Sequence, residues 1–415
     1  MNNPQNFLPT TRREFLKWGG RGIGLIAFSR FAPSFLVEST LAATPSPEKD
    51  RSILVLVQLA GGNDGLNTVI PFEDANYYRL RPTLGIKKED VLPISDTLGL
   101  NPSMSALHAL IKDGKAGIVQ NVGYPNPNHS HFRSSEIWET GSSSNEFLAT
   151  GWIGRFLDNA CAGTPDGTGA DPVAVHVTNE MPESFISATP HPTFGLNGSG
   201  GRGNPTNLSF LEKLVQHDDH DENANASFLK ATMMDALVTE KRVQRVLGSY
   251  QAEASYPANS FAQSLRNVAA LIAAGMSTRV YFVSLGGFDT HSNQFQTHQR
   301  QLQTLSDGLA AFQKDLVAKK LDSQVLTMTF SEFGRRPNEN ASRGTDHGTA
   351  APLFVMGSQL QGSLHGTAPS LDLQHNQDVT FTTDFRQVYA TVLDKWFSCP
   401  TDKILGKTYT PLPFI

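Results

Sequence analysis

Five apolar runs, rich in β-branched residues and separated by segments of helical periodicity, constrain this chain more than any other feature: Ser52–Leu59, Gly117–Val122, Val173–Val177, Arg279–Leu285 and Gln324–Phe330. A strand with one wet face alternates polar and apolar residues, so runs that stay apolar read as strands buried on both faces of a mostly parallel sheet. Between and beyond them, helical spacing of apolar residues falls at Ser103–Lys112, Phe132–Glu139, Asn207–Gln216, Ala226–Tyr250, Ser260–Gly275, Phe295–Lys319 and Asp384–Phe397. Strand and helix in alternation predict an α/β fold: a doubly wound, mostly parallel sheet with helices on both faces.

The N-terminal 43 residues stand outside that pattern. Arg12 and Arg13 precede Phe15-Leu16-Lys17, a weakly apolar, Gly-rich stretch runs from Trp18 to Val37, and small residues at Ala42-Ala43 offer a cleavage site. This reads as a twin-arginine signal peptide over residues 1–43, which makes the twin-arginine translocase a partner during export and the periplasm or medium the destination. Arg30 interrupts the apolar stretch, and no later segment is apolar enough to span a bilayer. Residues 44–415 then form the α/β domain, with loop insertions near 162–171 and 195–225, where Gly, Asn, Asp and His accumulate. Within the second, His217-Asp218-Asp219-His220-Asp221 reads as a solvated charge cluster.

A formal net charge of −5 with 18% charged residues carries no basic excess, so nucleic acid is not an expected partner. The two cysteines, Cys161 and Cys399, have no metal-ligand spacing. Export permits them to pair, and sequence separation alone leaves pairing and two free thiols both open.

Chemistry is expected at the carboxyl ends of the strands, where open parallel sheets bind ligands. The first strand runs into Gly61-Gly62-Asn63-Asp64-Gly65, the fourth into Gly286-Gly287-Phe288-Asp289-Thr290-His291, and the fifth into Ser331-Glu332-Phe333-Gly334-Arg335. Gly344-Thr345-Asp346-His347-Gly348 follows, feeding a further strand over Pro352–Met356. Divalent ions need carboxylate oxygens and imidazole nitrogens converging from several directions, which separate loops at one sheet edge supply. Asp64, Asp289, His291, Asp346 and His347 are therefore the candidate metal ligands.

These motifs, together with Ser130-His131-Phe132-Arg133-Ser134, Trp138-Glu139-Thr140-Gly141 and Thr383-Asp384-Phe385-Arg386, resemble the exported domain of unknown function 1501 family across almost all of the chain beyond the leader. That family is in turn similar to the alkaline phosphatase and sulfatase superfamily, in which two divalent metal ions, often zinc, flank a Ser, Thr or modified Cys nucleophile. The resemblance implies that Asp64 matches the superfamily's first-strand metal aspartate and that Asp346 with His347 matches its Asp-His pair. Asp289 and His291 stand for a pair that the superfamily spaces as Asp-x-x-x-His; only one residue separates them here, which leaves His298 as a reserve ligand. The superfamily's last histidine has no counterpart, because His365 and His375 lie in no matching motif. Ser130, at the start of a helix that ends near Thr140-Gly141, takes the nucleophile's place, with Ser134 as the alternative.

Arg133, Arg335 and Arg386 offer guanidinium forks that suit an oxyanion or, equally, a structural carboxylate; Arg133 stands with Ser130 as the catalytic candidate. Cys161-Ala162-Gly163-Thr164-Pro165 lacks the Cys-x-Pro-x-Arg of formylglycine sulfatases. The expected activity is metal-dependent hydrolysis of a small anionic phosphate or sulfate ester. The alternative is a non-catalytic envelope protein that keeps the fold as a structural or assembly partner.

Overall fold

The structure is a computed structural model and describes residues 51–159, 171–196, 224–374 and 377–415. The expected signal peptide, the helix at Asn207–Gln216, the 217–221 charge cluster, Cys161 and almost all of both insertions lie outside the described residues.

Strand β1 (Ile53–Leu59) is central. Three short strands, β2 (Val69–Ile70), β3 (Leu92–Pro93) and β4 (Gly99–Leu100), form a small antiparallel sheet in the order β2-β4-β3. The main sheet is completed by β5 (Ala116–Gly123), β6 (Ala174–Val177), β7 (Thr193–Gly195), β8 (Val280–Leu285), β9 (Val325–Phe330), β10 (Ala351–Met356), β11 (Leu364–His365) and β12 (Thr383–Asp384). Its order is β11-β5-β10-β9-β1-β8-β6-β7, with β12 also on β5. Only β10 runs against its neighbours β5 and β9; the remaining pairings are parallel. The mostly parallel, doubly wound α/β sheet expected from the sequence is therefore the one observed.

The pleat of β1 shows why its run is apolar from Ile53 to Val57. Ile53, Val55, Val57 and Leu59 enter one core layer while Leu54 and Leu56 enter the other, and all are at most 3% exposed. Successive side chains point to opposite faces, so helices must cover both. One layer is closed by α2 (Ser105–Lys112), α6 (Ser260–Ala273) and α7 (Gln294–Ala318). The other is closed by α3 (His131–Thr140), α4 (Trp152–Leu157), α8 (Phe385–Thr391) and α9 (Thr401–Leu405), where Trp138 stacks on Phe385 and Trp152 on Tyr389. Helices α1 (Ala75–Leu80) and α5 (Ala224–Ser249) complete the set used below.

The helix expected over Asp384–Phe397 changes character partway: an α-turn starts at a capping box built on Asp384 and Gln387, then widens to a π-helix over Val392–Trp396. Cys399 is buried and disulfide-bonded, so the reading of two free thiols fails at this residue. Among the described residues no helix is long and apolar enough to cross a membrane.

Candidate functional site

Loops leaving β1, β8 and β9 meet at the carboxyl edge of the sheet because two glycines let their backbones touch. Gly61 has φ +119°, and a Cβ there would lie 2.4 Å from the Asp289 nitrogen. A Cβ on Gly344 would lie 2.2 Å from the His291 carbonyl carbon. A side chain at either position would push Asp289 or His291 out of place.

Arg335 ties the same loops together. Its side chain is fully buried and donates to the carbonyls of Gly61, Gly62, Phe288 and Thr345 and, at 2.6 Å, to Asp289 Oδ1. Burial pushes the Asp289 carboxyl up, but the bonds from Arg335 and His347 outweigh it and hold its pKa at about 2. Asp289 is an anion throughout the physiological range.

Three imidazoles converge on that anion. His291 Nε2 lies 3.0 Å and His347 Nε2 3.2 Å from Asp289 Oδ1, and the two nitrogens are 2.9 Å apart. His131 Nε2 approaches Asp289 Oδ2 at 3.5 Å, and one ligand atom from each of His131, Asp289 and His347 fits within 4.8 Å of the others. The opposite nitrogen of each ring is held by an oxygen: His291 Nδ1 faces Asp346 Oδ1 at 3.4 Å, His347 Nδ1 the His129 carbonyl at 2.7 Å, and His131 Nδ1 Glu332 Oε1 at 2.8 Å. An Nδ1–H committed to an oxygen leaves the Nε2 lone pair bare and aimed at the cluster.

The donor set fits a divalent ion. A four-coordinate site with bonds of about 2.0–2.1 Å places its ligand atoms about 3.3 Å apart, close to the spacing of His291 Nε2, His347 Nε2 and Asp289 Oδ1. Two neutral imidazoles this close repel unless a shared proton or a cation lies between them. The bond to Glu332 raises the His131 pKa, whereas burial lowers that of His347. Asn340, donating to Asp346 Oδ1 at 3.0 Å, is the main cause of that carboxyl's lowered pKa.

The structure thus brings together Asp289, His291 and His347 and puts Asp346 behind His291. Asp64 is turned elsewhere: it is fully buried against Arg81 at 2.5 Å, accepts from Gln294, and caps the short helical turn Gly65–Asn67. Burial raises its pKa, but the Arg81 guanidinium brings it below the ordinary value. His298 is also buried, its Nε2 3.0 Å from Asn63 Oδ1, and burial lowers its pKa to about 4. His365 sits in β11 beside the Gly362 carbonyl, and His375 lies outside the described residues.

The two serines separate clearly. Ser130 is the exposed N-cap residue of α3, makes no capping bond, and lies between His129 and His131, both of which touch the cluster. Ser134 is fully buried, its hydroxyl 2.6 Å from both Tyr124 Oη and the Asn128 carbonyl. The arginines expected to meet an oxyanion are engaged within the protein. Arg133 pairs with Glu136 at 2.6 Å and donates to the carbonyls of Ser143, Ser144 and Glu146, while Arg386 holds Asp384 and Ser143.

His131 and Glu332 are the site residues that sequence reasoning missed. Both stood in quoted motifs, His131 directly after Ser130 and Glu332 one residue beyond Ser331 at the end of the fifth apolar run, where an acidic residue at a strand's carboxyl end was a usable signal. Both also line an open cleft of about 880 Å³ beside the cluster. Among the described residues its wall carries Glu136, Glu139, Glu180 and Glu183 but no Lys or Arg, and Phe132, 90% exposed, stands at its edge.

Fold and site together define an α/β protein with a histidine–carboxylate cluster at the carboxyl edge of a mostly parallel sheet. Residues 51–404 match the model of the family described as protein of unknown function, DUF1501, and the chain belongs to that family. No curated protein matches it by sequence. Among solved structures it is similar to the lipoteichoic acid synthase LtaP from Listeria monocytogenes, with 7% identity over 78% of this chain and 70% of that one and a TM-score of 0.37. It is also similar to an alkaline phosphatase from the Antarctic bacterium TAB5, with 10% identity over 76% and 93% of the two chains and a TM-score of 0.30. A third is BT1596, a 2-O GAG sulfatase, with 8% identity over 76% and 65% and a TM-score of 0.34.

Proposed function

We propose that this protein is an exported, metal-dependent hydrolase of small phosphate or sulfate esters, centred on Asp289, His291, His347 and His131. One observation carries the reading: three Nε2 atoms converge on a single ionised carboxylate while every Nδ1 is held by an oxygen. A divalent ion held there, zinc in the first instance, would supply a Lewis acid for an ester oxygen. Arg335 fixes Asp289 from below, Asp346 and Glu332 fix His291 and His131, and the His129 carbonyl fixes His347.

Ser130 is the nucleophile in this reading. It sits at the N-terminus of α3, where the helix dipole favours a developing oxyanion. Its Oγ would form the new bond to phosphorus or sulfur as the bond to the leaving alcohol breaks, the hydroxyl proton passing to that alcohol's oxygen, and water would then cleave the serine ester to free serine and phosphate or sulfate. The glutamate-lined cleft would receive the alcohol portion, so neutral or cationic leaving groups are favoured over polyanions.

A second reading, a non-catalytic envelope protein, draws on the arginines: Arg133, Arg335 and Arg386 are all committed to partners within the chain. The test is turnover of 4-nitrophenyl phosphate and 4-nitrophenyl sulfate by zinc-loaded protein, its Ser130→Ala variant and its Ser134→Ala variant. The catalytic reading expects turnover that Ser130→Ala abolishes. Ser134→Ala is expected to retain it while losing about 1–3 kcal/mol of stability, because the Tyr124 hydroxyl loses a buried partner. Equal turnover by all three excludes a serine mechanism, and none by the parent protein favours the second reading.

A further inference from the structure

Building on the metal-centred reading, we infer that the centre takes one divalent ion rather than two, because Arg81 already supplies at Asp64 the positive charge that a second ion would bring. Asp64 and Arg81 are both completely buried, with Oδ2 and Nη1 2.5 Å apart. The guanidinium is locked there by further bonds to Asn67 Oδ1 at 2.9 Å, the Pro337 carbonyl at 2.9 Å and the Arg336 carbonyl at 3.1 Å. Gln294 donates to the same Asp64 oxygen, and the Asn67 backbone N–H reaches the other at 3.4 Å. An ion entering at Asp64 would have to displace a cation that has no route to water, leaving a guanidinium buried and unpaired.

The neighbouring donors agree. His298, the reserve ligand close enough to Asp64 to act on its charge, turns its Nε2 to Asn63 Oδ1, whose other bond comes from the Thr68 hydroxyl at 3.0 Å. Charge leads to the same result: the Asp64 carboxylate is already balanced by the Arg81 guanidinium, so an ion there would add uncompensated positive charge to a fully buried pair.

Ion content separates the alternatives. Parent protein and an Asp64→Asn/Arg81→Gln double variant, in which a neutral amide pair replaces the ion pair, are stripped with chelator, reloaded with zinc and assayed by elemental analysis. An Asp289→Asn variant serves as the control. The inference expects the double variant to keep the parent's zinc content and to bind it within about threefold of the parent's Kd, while Asp289→Asn loses one ion per chain. A fall of one ion per chain in the double variant overturns it, and a change in thermal stability alone does not mimic that result. If the double variant fails to fold, Asp64→Asn alone is read in the same way. Parent protein that binds no zinc overturns the metal-centred reading and this inference together; loss confined to the Asp64 variants overturns the inference alone.

Discussion

Replacing Asp289 with Asn tests the centre most directly, because this carboxylate is the point on which three imidazoles and Arg335 converge. The substitution preserves size and removes the charge. Without metal, Arg335 keeps its four carbonyl partners and loses one ion pair. Since Asp289 is 48% exposed, solvent screening limits that loss to about 1 kcal/mol. With zinc at a hundredfold excess over its Kd, the parent should gain about 2.7 kcal/mol by mass action. An unfolding entropy of about 2.1 cal/mol/K per residue gives residues 44–415 about 0.8 kcal/mol/K, so the gain corresponds to a Tm rise of about 3–4 °C.

Differential scanning fluorimetry with chelator and with zinc should therefore show that rise in the parent and less than about 1 °C in Asp289→Asn. The parent's rise should shrink as pH falls, since the Glu332 bond raises the His131 pKa and lets protons compete with the ion at higher pH than they would at a free imidazole. Asp289 contributes in the same direction. Its folded pKa of about 2 lies below the ordinary 3.8, so its stabilising share is complete above about pH 4 and is lost as pH falls towards 2. An Asp289→Asn protein that gains as much from zinc as the parent would refute the reasoning.

Glu139, 8% exposed and without an ion-pair partner among the described residues, has its pKa pushed by burial from 4.5 up to about 7. Keeping it ionised costs the folded state progressively more from about pH 4.5 to 7 and up to about 3 kcal/mol above that. Glu139→Gln should raise the urea midpoint at pH 8 and leave it nearly unchanged at pH 4.5; an equal effect at both pH values would show that the carboxyl does not titrate in place. Export is tested by Arg12→Lys with Arg13→Lys, which should leave folded precursor in the cytoplasm. Unchanged mature protein in the periplasm or medium would exclude the twin-arginine route.

The sequence by itself determined the layered fold and the edge at which chemistry gathers. An unbroken apolar run such as Ile53–Val57 is buried on both faces, and loops that leave such strands open at a common edge. It also supplied Asp289, His291, Asp346 and His347, because each stands in a glycine-bordered loop directly beyond a strand or feeding one. Tertiary structure decided which way each side chain turned. Asp64 shares the loop chemistry of Asp289, yet Arg81, seventeen residues away and on the far side of α1, is folded back onto it. Ser130 and Ser134 are one helical turn apart, but the first stands exposed at the N-terminus of α3 and the second is buried beneath Tyr124. Glu332 had only its place beyond a strand to mark it in the sequence, and the fold gives it its partner by laying His131, 201 positions distant, within 2.8 Å. Local sequence fixes the period and burial of an element, whereas the partner of a carboxylate or imidazole depends on which distant loop the fold lays against it.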